Sequence, residues 1–480
     1  MAPCDGAATV MSPVAWCMPS RRERVDEVTM TSTAMPQRIF RDSLIVGFAM
    51  FAVFFGAGNL IFPPQIGYLA GSGWVQALFG LALTGMLLPV ATVFVLGRNG
   101  GSVERMTAPI APWFGPALLF IAMVFLAWMI AIPRTASVAY ETGILTLAPA
   151  LQKGAWHWFF IPLFIGVSTW FALDRSNMID RIGRFLTPLL LGLLAIIVLW
   201  SVLSPLGTPV HTGEAAPFSL GLITGYQTGD VLAGLMLGII FVEAIRERGY
   251  ADDAGFRSVL LGACAVTFLG LLFVYGGLEH LGATGSGVLG ADVTHSNLLT
   301  RLVGQLAGSV GANALAVAVV LACLTTAIGA TAVLGEYLQK WTGDRISYRT
   351  AVLIVSATSM AQAFGGVDYI VKLADPFFRL FYPLAICVVL LGLLSRFLPN
   401  DGVWKGAALV AFLMGAYDLV LACSGKLGIT LPAALQHAYD AIPLSSLGFS
   451  WLVPSIVGGM IGGLIWQLSG RPNLTDRPTV

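Results

Sequence analysis

The chain has 480 residues, of which 57% are hydrophobic and only 11% are charged, and its formal net charge is +1. Soluble domains contain about a quarter charged residues, so this composition excludes a soluble globular protein and indicates one embedded in a lipid bilayer. The net charge says nothing about partners, and we expect neither a nucleic-acid partner nor a bound cofactor. The six cysteines show no CxxC spacing, which predicts small core residues rather than disulfides or metal ligands.

About twelve apolar segments follow one another along the chain, and each is long enough to cross a bilayer as a helix. Continuous apolar stretches favour helices over the alternating strands of a β-barrel. The predicted spans are 43–70, 74–97, 115–145, 157–173, 184–205, 220–243, 257–281, 308–338, 349–366, 368–395, 403–423 and 448–468. The third, eighth and tenth spans are long, which predicts tilted or kinked helices. The sequence thus predicts an all-α membrane protein.

The predicted topology places both termini in the cytoplasm. Residues 1–42 form a polar tail, which we expect to be disordered or to reflect an over-long start. With this tail in the cytoplasm, nearly all lysines and arginines of the loops fall on the cytoplasmic side, as the positive-inside rule requires. The same count predicts an even number of spans and a cytoplasmic tail over 471–480.

A break in the first span is the most informative feature of the sequence. The residues GAGN at 56–59, followed by Pro63 and Pro64, interrupt the helix where a bilayer requires an unbroken one. Unpaired backbone groups are tolerated at that depth only where they line a cavity. The freed N–H groups at the start of a half-helix suit a substrate carboxylate. The candidate donors are Gly56, Ala57 and Gly58. The alternative is close helix packing through small residues.

A second interruption lies at 221–229, at the start of the sixth span. Its carbonyls suit a substrate ammonium group, with side-chain contacts from Tyr226, Gln227 or Thr228. Alternatively, Tyr226 and Gln227 anchor the helix at the membrane surface. Asp230 follows the break, and we interpret it as an N-cap of the next half-helix.

The two interrupted helices open two similar halves. Spans 1–5 form a first repeat over 43–205, and spans 6–10 form a second repeat over 206–395. Because each repeat has an odd number of spans, the two copies are inverted relative to each other. Spans 11 and 12, over 396–470, are then additions to this five-plus-five arrangement.

Six motifs in order resemble the branched-chain amino acid:cation symporters. The resemblance extends from residue 43 to about 465 and so covers nearly the whole chain. The motifs are GFAMFAVFFGAGNLIFPP from residue 47, AIPRTA from 131, DRIGR from 180 with Thr187 and Pro188, GYQT from 225 with Asp230, CLTTAIG from 323, and YPLA from 382. One departure is Gly229, where this family usually has a bulky methionine, and it leaves the shape of the pocket open.

The resemblance implies uptake of leucine, isoleucine and valine across the bacterial inner membrane, coupled to Na⁺ as the coupling ion. It also implies a LeuT-like inverted-repeat fold with broken helices 1 and 6. By analogy with that fold, the hydroxyls of Thr325 and Thr326 would bind Na⁺ together with three backbone carbonyls, and Asn59 would serve a second Na⁺ through its amide oxygen. The carbonyls are those of Ala52, Phe55 and Ala322. For the two threonines the alternative is hydrogen bonding to their own helix.

Polar residues inside other spans suggest structural ion networks. Arg134 and Glu141 lie two turns apart in the third span, and we expect them to pair. Lys372, Asp375 and Arg379 are spaced to form one polar stripe early in the tenth span.

Two other classes of function stay open. One is a symporter of the same fold that carries another small neutral solute or uses H⁺. Gly229 and Asp230 are the residues that leave this alternative open. The other is a channel or a membrane-embedded enzyme, for which the sequence shows neither a continuous polar stripe nor a catalytic cluster. The sequence does not define the oligomeric state.

Overall fold

The computed structural model describes residues 21–152, 154–173, 178–250, 254–290, 297–427 and 432–473. Within these ranges, the side chains of 21–35, 57–58, 178–190, 425–427 and 433 are not described. The described residues form helices joined by turns, and none of them lies in a β-strand. The predictions for residues 1–20 and 474–480, at the two ends of the chain, lie outside the described residues.

Among the described residues up to Leu203, ten α-helices and several tighter or wider helical segments form the first five predicted spans and their connections. The α-helices are α1 (Arg21–Phe54), α2 (Phe62–Ala70), α3 (Trp74–Leu81), α4 (Leu88–Arg98), α5 (Val103–Thr107), α6 (Phe114–Ile121), α7 (Ile132–Val138), α8 (Leu145–Leu147), α9 (His157–Leu173) and α10 (Met178–Leu203). A 3₁₀ turn, Ala57–Leu60, separates α1 from α2. The long third span contains two π-helical segments, Ala122–Ala131 and Ala139–Ile144.

Nine further α-helices build spans 6 to 12. They are α11 (Pro217–Gln227), α12 (Asp230–Glu247), α13 (Ala254–Gly285), α14 (Leu298–Trp341), α15 (Tyr348–Ala363), α16 (Gly366–Leu394), α17 (Asp401–Leu427), α18 (Ala433–Asp440) and α19 (Leu452–Leu468). The long eighth span, α14, is kinked at Gly308, whose φ is 66°. The long tenth span, α16, contains Pro376 and Pro383.

All twelve predicted spans coincide with helix. Six helical stretches of the described residues are long and apolar enough to cross a membrane, and a seventh is the bent pair α11–α12. Three shorter apolar helices fall on spans 4, 5 and 12, and α15 falls on span 9. The prediction of a multi-pass all-α membrane protein is therefore confirmed.

Helix pairing supports the inverted repeat. The first span, α1 and α2, packs on α13 of the seventh span, whereas the sixth span, α11 and α12, packs on α3 and α4 of the second. Exchanging the two halves converts one pairing into the other. In the same way, α14 of span 8 packs on α10 of span 5, and α7 of span 3 packs on α16 of span 10.

Glycines allow α2 and α11, one half of each broken span, to approach their partners closely. A Cβ atom at Gly67 of α2 would lie 1.8 Å from the carbonyl oxygen of Glu279 in α13. A Cβ atom at Gly221 of α11 would lie 1.9 Å from the carbonyl oxygen of Ala77 in α3. Since no side chain fits at such distances, these glycines set the position of α2 and α11 relative to their neighbours.

Candidate functional site

The first helix break lies where the sequence predicts it. The last helical hydrogen bond of α1 joins the Phe55 N–H to the Phe51 carbonyl at 2.7 Å, and the Gly56 N–H turns back to the Phe54 carbonyl at 2.9 Å. The carbonyls of Ala52 and Phe55 therefore lie at the end of the helical hydrogen-bond ladder, where carbonyls seek other partners. Both are among the predicted Na⁺ ligands.

Gly56 borders open space at this break. It is extended, with φ −77° and ψ 162°, and a Cβ atom built on it would meet no atom within 4 Å. Close helix packing through Gly56 is therefore not its role here. Ala57 and Gly58 begin the 3₁₀ turn that follows, and their surroundings lie outside what the structure describes. The prediction that these three residues bind the substrate carboxylate remains a prediction.

The predicted interruption at 221–229 is confirmed only at its end, because 221–227 belong to α11 and the break itself depends on Gly229. α11 ends at Gln227, α12 begins at Asp230, and the two helices are bent by 45°. Gly229 joins them with φ 79° and ψ 3°, in the left-handed region that favours glycine. A Cβ atom there would lie 2.5 Å from Leu126 Cδ1. Glycine at this position thus permits a tight turn at the break, packed against Leu126 of the third span.

A buried hydrogen-bonded bridge joins the two breaks. The Asn59 side-chain amide donates to both carboxylate oxygens of Asp230, at 2.8 and 3.0 Å, and to the Phe54 carbonyl at 2.7 Å. Both side chains are buried, with 2% and 5% exposure. Hydrogen bonds to a charged group are stronger than neutral ones, so this bridge fixes the two breaks against each other.

The interpretation of Asp230 as an N-cap is wrong. The N-cap of α12 is Gly229, and no side chain caps the helix from that position. The Asp230 carboxylate instead accepts from Asn59, 171 residues away in sequence. The first N–H groups of α12 find other acceptors: Thr228 Oγ1 at 3.3 Å from the Asp230 nitrogen, and Tyr382 Oη at 3.2 Å from the Val231 nitrogen.

Arg134 of α7 brings a positive charge to the same place. It is buried, its Nη1 donates to the Gln227 carbonyl at 3.2 Å, and its guanidinium lies 5.7 Å from the Phe62 ring centroid. It lies within electrostatic reach of Asp230. The expected pairing of Arg134 with Glu141 is therefore wrong, because the contacts of Arg134 are with residues of the two breaks. Glu141 Oε1 accepts the Val367 N–H at the start of α16, at 2.9 Å.

The three polar side chains predicted near the second break have separate environments. The Tyr226 ring is buried and lies 4.9 Å from the Tyr382 ring, which contradicts the alternative of an anchor at the membrane surface. Gln227 Nε2 lies 3.5 Å from Asp375 Oδ1. The Thr228 hydroxyl donates to the Gly225 carbonyl at 2.9 Å.

The polar stripe of the tenth span forms in part. Arg379 Nε lies 2.8 Å from Asp375 Oδ2, one helical turn earlier. Through Gln227 this ion pair contacts the broken sixth span. The arrangement resembles the predicted structural network more than a binding site, because the two charges satisfy each other.

The predicted threonines lie on α14, which packs against the first break. Thr325 Oγ1 and Thr326 Oγ1 each donate to the Ala322 carbonyl at 2.9 Å. This is the hydrogen bonding within one helix that the alternative interpretation expects. It also gathers three of the predicted Na⁺ ligands around one turn, and each hydroxyl oxygen still has lone pairs to offer a cation. Their role as Na⁺ ligands stays a prediction.

Sequence reasoning assigned no role to three buried polar residues near the breaks. Tyr382 supports the start of α12 and lies within the quoted YPLA motif. On α13, Tyr275 and Glu279 are fully buried, one helical turn apart, and the Tyr275 ring lies 5.8 Å from the Phe55 ring. The sequence does contain a signal for the last two, because polar residues four apart in an otherwise apolar span indicate a buried polar site.

Solved structures of similar fold cover nearly the whole chain. An inward-facing structure of Mhp1 has a TM-score of 0.59 at 14% sequence identity, over 91% of this chain and 95% of Mhp1. The manganese transporter of Eremococcus coleocola has a TM-score of 0.54 at 14% identity, over 90% of this chain and 95% of that structure. This likeness concerns the fold alone and confirms the predicted LeuT-like inverted repeat.

Sequence comparison identifies the family. A family model described as "Branched-chain amino acid transport protein" matches residues 39–469. The permease BraB of Bacillus subtilis is 32% identical over 90% of this chain and 96% of its own length. The branched-chain amino acid transport system 2 carrier protein of Pseudomonas aeruginosa is 34% identical over 90% and 97%, and the permease BrnQ of Escherichia coli K12 is 31% identical over 91% and 98%.

These relatives carry the names of permeases and carriers, not of enzymes, and they match the chain over almost its full length. The chain therefore belongs to the branched-chain amino acid transport protein family.

Proposed function

We propose that this protein imports leucine, isoleucine and valine across the bacterial inner membrane by symport with Na⁺, with both termini in the cytoplasm. The observation that carries the proposal is the convergence of two broken helices, joined by the Asn59–Asp230 bridge, beside the open space at Gly56. Backbone breaks at the middle of a membrane span are characteristic of substrate sites in transporters. The names of the relatives supply the substrate class.

The two breaks offer complementary groups to a zwitterionic amino acid. The N–H groups of Gly56, Ala57 and Gly58 at the first break suit the carboxylate. The carbonyls at 225–227 in the second break suit the ammonium group, since each carbonyl accepts two hydrogen bonds. Tyr226, Gln227 and Thr228 would line that side. The buried rings of Phe54 and Phe55 supply apolar surface for an aliphatic side chain.

The coupling ion would lie between α1 and α14. Its proposed ligands are the hydroxyls of Thr325 and Thr326 and three backbone carbonyls. The carbonyls are those of Ala52, Phe55 and Ala322. Because the Asn59 amide nitrogen is committed to Asp230 and Phe54, its amide oxygen would be the ligand for a second Na⁺.

Uptake of labelled leucine into proteoliposomes tests this proposal. We expect accumulation when Na⁺ is higher outside and pH is equal on both sides. An H⁺ gradient without Na⁺ is the comparison. Leucine accumulation with H⁺ and none with Na⁺ would assign the coupling to protons. Absence of leucine uptake under every gradient, by protein that is correctly inserted, would refute the substrate assignment.

A further inference from the structure

A buried carboxyl group lies one helical turn beyond the substrate region and takes no part in the arrangement described above. Glu279 of α13 has 0% of its surface exposed, and neither of its carboxyl oxygens has a hydrogen-bond partner among the residues that the structure describes. The backbone of α2 presses against this turn at Gly67. Glu279 lies six residues before the end of α13 at Gly285, which corresponds to about 9 Å along the helix.

Among the described residues, no side chain forms an ion pair with Glu279. α2 offers only Tyr68, whose hydroxyl donates to the Leu289 carbonyl at 3.1 Å. On α13 itself, His280 faces Ser201 of α10, with Nδ1 3.3 Å from the hydroxyl. α3 has no ionisable side chain, and neither does α10 over 191–203. On α14, Arg301 is exposed.

The nearest ionisable groups along the same face of α13 lead to the helix breaks. Tyr275, four residues before Glu279, has a buried hydroxyl without a hydrogen-bond partner and lies beside Asn59. Beyond Asn59 lie Asp230 and Arg134. A polar line therefore runs from the bridge between the two breaks to the carboxyl group of Glu279.

A buried helix interface strongly disfavours an ionised carboxylate that has no hydrogen-bond donor, so the uncharged acid is the form that this packing admits. We propose that Glu279 is a proton-binding site, and that its proton is carried inward with the amino acid in each transport cycle. The carboxylate takes the proton from water on the outer side when the site is open there. It returns the proton to water on the inner side after a movement of α2 and α13 has opened Glu279 to that side.

This inference rests on the proposed transport function and adds a second coupled cation to it. Intramembrane acids are expensive to keep, and those that face a helix interior mark ion and proton pathways. Glu279→Gln replaces the acid by a neutral side chain of the same shape that cannot release a proton. We therefore expect the variant to fold and to bind leucine, but to lose coupling to protons.

The experiment measures leucine-driven acidification in proteoliposomes that contain a trapped pH indicator, with Na⁺ equal on both sides. Wild type should acidify the lumen on addition of leucine. Glu279→Gln should fall to the level of protein-free vesicles yet still exchange labelled for unlabelled leucine across the membrane. Glu279→Asp should keep acidification, because it keeps a titratable acid. His280→Gln is the matched control and should behave as wild type.

The outcomes separate the two proposals. Acidification by Glu279→Gln equal to that of wild type would overturn the assignment of Glu279, and so would Na⁺-driven leucine uptake by wild type with no acidification at all. Absence of leucine exchange in wild type would instead refute the transport function itself. If Glu279→Gln fails to insert, a wild type that exchanges leucine without acidifying the lumen would still overturn the proposal.

Discussion

The Asn59 amide and the Asp230 carboxylate meet in the interior of the protein at 2.8 and 3.0 Å, and they connect two helix breaks that are 171 residues apart in sequence. Each residue follows a glycine that interrupts its span. Because both side chains are buried, the bridge is protected from water and holds the two halves of the inverted repeat in register.

We predict that Asp230→Asn strongly reduces leucine uptake. The substitution removes the negative charge that lies within electrostatic reach of Arg134, and it places one amide against another at Asn59. Loss of a buried charge-assisted hydrogen bond costs about 1.5–3 kcal/mol, which corresponds to at least a tenfold loss in a linked equilibrium. Initial uptake rates for inserted protein give the measurement. Asp344→Asn, in a loop where asparagine tolerates the observed positive φ, is the control and should have normal uptake.

Gly56→Leu should abolish uptake without preventing insertion. A leucine side chain at this position would project into the open space beside the break, where we place the substrate. Gly58→Leu should have the same effect, because it blocks the close backbone approach.

Gly166→Leu on α9 is the matched control, since a Cβ atom there also meets open space. We expect it to leave uptake unchanged. Near-normal uptake by both break variants, at equal expression, would remove this segment from the site.

Competition among amino acids tests the nature of the pocket. A pocket that fits branched aliphatic side chains distinguishes them by only about 1–3 kcal/mol per methylene. Leucine, isoleucine and valine should therefore inhibit one another's uptake, whereas lysine and glutamate should not, because burial of an unpaired charge costs far more. Inhibition by charged amino acids without inhibition by valine would contradict the assignment.

The Na⁺ dependence of uptake tests the two threonines. Thr325→Val or Thr326→Val keeps the shape and removes one oxygen, so the Na⁺ concentration for half-maximal uptake should rise. Leucine affinity at saturating Na⁺ should change much less, because a saturating ion compensates for its own weakened binding. The corresponding serine variants keep the oxygen and should be nearly silent. An unchanged Na⁺ curve in both valine variants would favour hydrogen bonding to the Ala322 carbonyl alone.

The breaks could be predicted from sequence because they are local. Gly229 ends a helix through the left-handed backbone conformation that glycine favours, and Pro63 and Pro64 lie in the first turn of the half-helix α2, where proline is tolerated. The apolar length of each span likewise predicted where the long helical stretches lie.

The partners of the intramembrane charges could not be predicted, since they depend on which spans meet. Asp230 was expected to cap its own helix and instead accepts from Asn59 across the fold. Arg134 was expected to pair within its own span and instead contacts Gln227. The spacing of charged residues along one helix predicts a partner on the same helix, whereas the packing of the spans brings a residue from another span into contact.

The most direct test of the account is whether leucine binds beside the first break. We would introduce Gly56→Cys and measure the rate at which a membrane-permeant maleimide modifies it in purified protein with and without leucine. Of the described cysteines, Cys264, Cys323 and Cys387 are buried and Cys423 is half-buried, and wild type reports the background reactivity of all native thiols. The account predicts that leucine and valine slow the modification of Cys at position 56, and that lysine does not. An unchanged rate in a variant that still binds leucine would contradict it.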